Sequence, residues 1–89
     1  MSKQSNMTLE YRCKLNDALS CVQNEVISAK GKFPANFVNQ HEAYAVILEE
    51  VDELWDEIKK NQKKYDYPAQ RKEATQAAAM LVRFLVELM

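Results

Sequence analysis

Carboxylates interrupt the apolar side of a helix predicted near the middle of the chain, in HEAYAVILEEVDELWDEIKK. A rotation of about 100° per residue places Glu50 among the apolar positions and Glu53 at their edge. An ionised carboxylate buried without a partner is very costly, and two that share one cavity repel each other. Glu50 and Glu53 should therefore either bind a cation or take up a proton. The apolar positions are Ala43, Val46, Ile47, Leu54 and Ile58.

The other acidic residues of this helix divide into two groups. Asp52, Asp56 and Glu57 fall on or nearer the opposite side, where we expect an ordinary solvated helix surface. Glu49, beside Glu50, is the further candidate for the site.

A second pair of oxygen-bearing side chains enters the apolar stripe of the last helix. Glu73 and Gln76 are three residues apart and share a face with Ala77, Met80 and Phe84. In an antiparallel pair of helices, Glu53 and Glu73 would match in height within about one turn, and Glu50 would lie opposite Gln76. Because all four side chains offer hard oxygen ligands, the pattern favours Mg²⁺, or Mn²⁺, over zinc.

The elements that must hold these residues are long helices. One glycine and two prolines leave few places for tight turns, and no segment alternates like a strand. We predict an all-α fold, a small bundle of three main helices. The first runs from about Met7 to a cap at Gly31, the second from an Asn39 cap with Glu42 to about Lys60, and the third from Pro68 to the end.

Composition narrows the class of partner. With 12 Lys and Arg against 13 Asp and Glu, the net charge of −1 argues against a DNA or RNA polymer as ligand. The chain has neither a membrane-length apolar run nor the apolar core of a signal peptide, so we expect a cytoplasmic protein without a membrane partner. Cys13 and Cys21, about 12 Å apart along one helix, lie beyond disulfide reach and are expected to be buried thiols.

The chain is short for a domain, and its apolar helix faces exceed what one thin core can cover. We predict a single domain over residues 1–89, with residues 1–6 disordered and the bundle completed by oligomerisation, as a homodimer or homotetramer. Residues Met80, Phe84, Leu88 and Met89 of the apolar closing segment are the predicted subunit contact.

The acidic pattern resembles a known signature. EEVDE at 49–53, followed after 19 residues by EATQ at 73–76, resembles the EExxE…ExxD motif of MazG-like all-α nucleotide pyrophosphohydrolases, and the flanks are similar from about Phe33 to Leu88. The resemblance implies a helical dimer or tetramer that uses Mg²⁺ to cleave nucleoside triphosphates into the monophosphate and pyrophosphate, as nucleotide house-cleaning. It implies Glu50, Glu53 and Glu73 as metal ligands, and Glu49 as a ligand or the base that orients water.

Gln76 departs from the signature, which has Asp there. An amide oxygen can coordinate Mg²⁺ but brings no charge, so a fourth ligand of this kind should bind the ion more weakly.

Residues outside the motif are candidates for substrate contact, each with a simpler alternative. Trp55 could stack on a base but is more typical of packing, and His41 could meet a phosphate or simply begin its helix. Lys59, Arg71 and Lys72 could attract a triphosphate or form a solvated turn.

Two other functions compete with catalysis. Gln76 favours a non-catalytic nucleotide or metal sensor on the same scaffold. Alternatively, a structural interaction module would pair Glu50 and Glu53 with cations of a partner chain.

Overall fold

A computed structural model describes residues 7–60 and 67–89, which form three helices. They are α1 (Leu9–Lys32), α2 (Gln40–Lys60) and α3 (Tyr67–Leu88), and these described residues contain no strand. The predicted all-helical class is confirmed. The predicted disorder of residues 1–6 lies outside the described residues.

Helix α1 begins within two residues of the predicted start but ends differently from the prediction. It begins after Thr8, whose Oγ1 accepts a hydrogen bond from the Tyr11 N–H at 3.1 Å. The predicted cap at Gly31 is wrong, because Gly31 lies inside the helix and no described residue has a positive φ. The chain leaves the helix at Phe33, whose N–H still donates to the Ala29 carbonyl at 2.8 Å, so no left-handed residue is needed.

Helix α2 begins with the predicted reciprocal cap. The Asn39 Oδ1 accepts from the Glu42 N–H at 2.9 Å, which confirms Asn39 as the N-cap. Glu42 Oε1 accepts in return from the N–H of Val38 at 3.0 Å, one residue before the predicted donor. This cap fixes where α2 leaves the connector that joins it to α1.

Helices α2 and α3 are antiparallel. Val46 and Ile47 of α2 pack against Ala79 and Met80 of α3, whereas Glu53 lies beside Glu73. Residue numbers therefore rise along α2 in the direction in which they fall along α3, as the predicted antiparallel pairing requires.

Helix α1 runs parallel to α3 on its other side. Cys21 accepts a hydrogen bond from Arg71 at 3.5 Å, and Ala29 packs against Ala79, eight residues further along both helices. Helix α3 thus lies between α1 and α2, which do not pack on each other.

The three helices form a thin layer with a small core. The molecule measures 41 × 40 × 22 Å, and its radius of gyration is 15.2 Å, against about 12 Å for a compact domain of this length. Met80 is the largest buried apolar residue among those described; the others are Ala29, Ala43, Ala77 and Ala79. The core is as thin as the chain length predicts.

Three packing predictions need correction. Met80 belongs to this core and not to the exposed surface of a subunit contact, because it faces α1 and α2 from the central helix. Cys13 is exposed and Cys21 half-buried, since α1 is covered only where it meets α3; both thiols are free. Ile58, which the helical period places on the apolar arc of α2, is 41% exposed.

Among the described helices, none has the length and apolar character that crossing a membrane requires.

Candidate metal centre

Three carboxylates meet between α2 and α3. Glu50 and Glu53 come from α2 and Glu73 from α3, and one oxygen of each lies within 4.8 Å of the others. We call these residues the carboxylate cluster. Glu50 and Glu73 are half-buried and Glu53 is exposed, so the cluster opens to solvent at one side. The antiparallel packing brings Glu73 to two residues that precede it by 20 and 23 positions in the sequence.

Two oxygens of the cluster lack partners. Glu50 Oε2 and Glu73 Oε2 are shielded from solvent, and neither accepts a hydrogen bond from any described residue. A buried polar atom without a partner carries the full cost of its lost hydration, and native proteins contain few of them. Each of these two oxygens can accept a hydrogen bond or bind a cation.

The electrostatics of the cluster disfavour its ionised form. Burial raises the pKa of Glu50 first, and the charges of Glu53 and Glu73 raise it further. Burial likewise raises the pKa of Glu73, followed by its hydrogen bond and repulsion with Glu53, while Lys72 acts in the opposite direction. A cation bound among the three oxygens would reverse this balance, because it favours every ionised carboxylate.

The donor set suits a hard divalent ion. Oxygen ligands about 2.1 Å from Mg²⁺ can lie at most about 4.2 Å apart, so small side-chain rotations would bring the three oxygens to bonding distance. Three carboxylates without sulfur or imidazole fit Mg²⁺ or Mn²⁺ better than zinc.

A groove of about 560 Å³ adjoins the cluster and shares Glu50 with it. Glu49 and Gln76 also line this groove, so the predicted opposition of Glu50 and Gln76 places both on one cavity. Its other walls are the end of α1 and the α1–α2 connector, the latter with Phe33, Phe37 and Val38. We call this cavity the connector groove. Glu49 is exposed and accessible to water there.

The predicted substrate contacts lie elsewhere. His41, Trp55, Lys59, Arg71 and Lys72 are all exposed, and the structure does not bring them to the connector groove. Lys59 pairs with Asp56 at 3.2 Å, and Arg71 donates to Cys21. Their roles in substrate binding stay predictions.

The remaining acids of α2 mostly behave as expected. Asp52 and Asp56 are exposed on the solvent side. Glu57 was predicted to be solvated, but it is half-buried and pairs with Lys60 at 3.0 Å. Position 57 lies seven residues after Glu50 and so returns to the side that faces α3.

The sequence interpretation missed a buried ion pair beside the groove. Arg83 is only 5% exposed, and its Nε donates to Glu87 Oε2 at 2.6 Å. Arg83 Nη2 also donates to the Ala35 carbonyl at 3.0 Å, and Glu87 Oε1 accepts from the Phe37 N–H at 2.8 Å. We call this pair the connector clasp. The available signal was an Arg and a Glu four residues apart in the apolar segment LVRFLVELM.

The clasp holds the outer wall of the groove. The Arg83 guanidinium also lies 5.0 Å from the centre of the Phe37 ring, which packs against the core. Hydrogen bonding from Arg83 lowers the pKa of Glu87, although burial opposes this effect. Phe33, in contrast, is 68% exposed. The clasp thus fixes the connector at Phe37 and leaves Phe33 facing the groove and solvent.

No family model, curated protein or solved structure matches this chain. The resemblance to MazG-like proteins therefore depends on the acidic signature and its flanks.

Proposed function

We propose that this protein binds Mg²⁺ or Mn²⁺ between α2 and α3 and hydrolyses a nucleoside triphosphate to the monophosphate and pyrophosphate. The observation that carries the proposal is the pair of shielded, unpartnered oxygens of Glu50 and Glu73, beside the third carboxylate of Glu53, within the described residues. A cation would satisfy both oxygens and remove the repulsion among the three side chains.

The chain offers a residue for each part of the reaction. Glu50, Glu53 and Glu73 would hold the ion, with the Gln76 amide as a weaker, neutral ligand. A bound Mg²⁺ would neutralise the charge that develops on the phosphate oxygens. Glu49 lies next to Glu50 and is exposed at the groove, where its carboxylate can orient the attacking water and accept a proton.

The connector groove supports the choice of a substrate larger than a bare phosphate. Its volume of about 560 Å³ lies within the range of small-molecule sites. Phe33 and Val38 offer apolar surface at one wall, while Lys32 brings a positive charge to the same cavity. A nucleoside could lie along the connector with its phosphates directed towards Glu50.

The acidic signature supports membership of the MazG-like group, with nucleotide house-cleaning as the biological task. As the resemblance implies, we propose a homodimer or homotetramer, and we propose the cytoplasm as its location.

A screen for pyrophosphate release tests the proposal. The chain is incubated with each common and modified nucleoside triphosphate in Mg²⁺, in Mn²⁺ and in chelator. We expect release that requires metal, falls strongly in Glu53→Gln and persists in Asp52→Asn. Asp52 is the matched control because it is an exposed carboxylate of the same helix outside the cluster. Failure to release pyrophosphate or phosphate from any nucleotide would contradict catalysis.

Gln76 favours a second candidate, a sensor that binds metal and nucleotide without turnover. Its amide removes one negative charge from the groove side of the site, which weakens metal binding and transition-state stabilisation. Metal-dependent nucleotide binding without products would support the sensor. A structural module, by contrast, would show no effect of metal on its melting temperature.

A further inference from the structure

Glu25 is a half-buried carboxylate of α1 that lines the connector groove. The residues one helical turn away from it, Cys21, Val22, Ser28 and Ala29, include no cation that could pair with it. No described residue forms a hydrogen bond or an ion pair with its side chain. Glu25 therefore brings an unpaired negative charge into the groove.

The contacts between α1 and α3 fix the height of Glu25 along the bundle. Cys21 accepts a hydrogen bond from Arg71, and Ala29 packs against Ala79. In both pairs the residue of α3 follows the residue of α1 by 50 positions. Because the two helices are parallel, Glu25 is level with position 75 of α3.

Position 75 lies between Glu73 and Gln76, so Glu25 is at the height of the candidate metal centre. Helix α3 lies between α1 and α2, and all three helices line the groove. The groove thus has Gln76 on its floor, Glu25 on the α1 wall and Glu50 on the α2 wall. Along the helix, Glu25 and Gln76 differ in height by one position, about 1.5 Å. The uncharged member of the predicted site therefore has an unpaired carboxylate from another helix at its own level.

We propose that Glu25 supplies the negative charge that Gln76 lacks, as a fourth carboxylate of the metal centre contributed by α1. The inference rests on the proposed binding of Mg²⁺ or Mn²⁺ by the carboxylate cluster. Glu25 is not one of the three residues whose oxygens lie within 4.8 Å of one another. It is therefore a positioning residue, which accepts hydrogen bonds from water bound to the ion and holds that water in place.

Bound water can span the distance between Glu25 and the cluster. Mg²⁺ dehydrates reluctantly and usually keeps several waters in protein sites. The distance is about 2.1 Å from the ion to its water and about 2.8 Å from the water to an acceptor, so a carboxylate oxygen about 5 Å from the ion still takes part. Partners of this kind commonly change metal affinity by roughly 10–100-fold. A charge on the α1 wall can thus replace one at position 76.

The other acids of the groove are already accounted for. Glu42 Oε1 accepts from the Val38 N–H in the cap of α2, at the connector end of the groove. Glu50 belongs to the cluster, and Glu49 is the residue proposed to orient the attacking water. Glu25 is the remaining acid that can compensate for Gln76.

Calorimetric titration of Mg²⁺ and Mn²⁺ into the full chain tests Glu25 without requiring turnover. Glu25→Gln should weaken binding roughly tenfold, whereas Asp17→Asn should leave the affinity unchanged. Asp17 is the matched control, because it is an exposed carboxylate of α1 that lies outside the groove. In chelator, Glu25→Gln should melt at the wild-type temperature, because the side chain has no partner in the described chain to lose.

Position 76 provides a test by compensation. Gln76→Asp should restore much of the affinity that Glu25→Gln loses, and it should raise the affinity more in that background than in the wild type. The two substitutions are then non-additive, because both act on one charge of the same site. A merely structural role of Glu25 in α1 would not respond to a charge at position 76.

The outcomes separate this inference from the proposed function. A wild-type chain that binds the ion, with Glu25→Gln binding it equally well, would overturn the role of Glu25 and leave the proposed function standing. Equal losses in Glu25→Gln and Asp17→Asn, or equal gains from Gln76→Asp in both backgrounds, would overturn it too. A wild-type chain that binds neither ion would contradict the proposed function, and this inference with it. If Gln76→Asp fails to fold, the comparison of Glu25→Gln with Asp17→Asn still decides the question.

Discussion

Two glutamates of α3 lie in opposite electrostatic surroundings. Glu87, near the end of the helix, is bonded to Arg83 and the Phe37 N–H, with Lys30 at 3.7 Å. Glu73, near the start, has a shielded oxygen without a partner in the described chain and other carboxylates as neighbours. The pKa of Glu87 is lowered, whereas that of Glu73 is raised.

The difference separates a carboxylate that the chain itself satisfies from one that it leaves without a partner. At Glu87 the chain itself supplies the cation and the donors, so the carboxylate joins α3 to the connector and needs nothing further. At Glu73 the chain adds negative charge and supplies no donor to the shielded oxygen. This contrast within one helix supports our proposal that an external cation completes the cluster.

The largest expected effect comes from breaking the connector clasp. Arg83→Leu leaves Glu87 buried without its main partner, which should cost about 3–5 kcal/mol in the free energy of unfolding. Urea unfolding measures the loss. The double variant Arg83→Leu/Glu87→Leu should recover much of it, because no charge then remains buried. A single variant within about 0.5 kcal/mol of wild type would show that the clasp does not stabilise the fold.

The next effect concerns catalysis at the carboxylate cluster. Glu53→Gln should lower any pyrophosphohydrolase rate by ~10²–10³, because it removes a charged ligand. Gln76→Asp should raise the rate and tighten Mg²⁺ binding, since it restores a fourth charge. Measuring both turnover and Mg²⁺ affinity in each variant separates an effect on catalysis from an effect on metal binding. If Gln76→Asp leaves metal affinity unchanged while Glu53→Gln abolishes it, Gln76 does not ligate the ion.

A smaller effect should appear in stability without metal. Glu50→Gln removes one of the repelling charges, so in chelator it should raise the melting temperature by a few degrees. Excess Mg²⁺ should reverse the order and favour wild type. Asp52→Asn is the control, because its exposed carboxylate lies outside the cluster. A rise in the control equal to that of Glu50→Gln would indicate a general charge effect.

The smallest effects concern pH in the absence of metal. The raised pKa values of Glu50 and Glu73 mean that their stabilising, protonated forms are lost as pH rises from about 4 towards neutrality. The lowered pKa of Glu87 means that its contribution is present above about pH 4 and is lost as pH falls further. The melting temperature plotted against pH should therefore be flatter at high pH in Glu73→Gln than in the wild type. In Glu87→Gln it should be flatter at low pH. The reverse assignment would contradict the comparison.

Helical periodicity predicted the cluster but not the clasp. Glu50 and Glu73 interrupt apolar stripes, and the antiparallel pairing of two long helices fixes which heights meet. Arg83 and Glu87 also interrupt a stripe, but their main new partners, Ala35 and Phe37, lie in a connector whose path the sequence does not specify. The pair therefore resembled an ordinary surface ion pair four residues apart.

The same limit explains the errors at the surface. A 3.6-residue period places Ile58 on an apolar arc, but it does not say how many helices cover that arc. With α3 between α1 and α2, one face of α2 remains open, so Ile58 is exposed in the single chain. The Gly31 cap was wrong for a local reason: the last turn of α1 continues through the Phe33 N–H without a left-handed residue.

The central claim, that the carboxylate cluster is a divalent cation site, is tested most directly by titrating Mg²⁺ and Mn²⁺ into the metal-free chain in a calorimeter at pH 7. We predict saturable binding in the millimolar range or tighter, lost in Glu50→Gln and Glu73→Gln and retained in Asp52→Asn. Because the pKa values of Glu50 and Glu73 are raised, protons compete with the ion for these carboxylates, and the affinity should fall as the pH is lowered. A folded wild-type chain that binds neither ion, or that binds it equally well after Glu50→Gln, would contradict the claim.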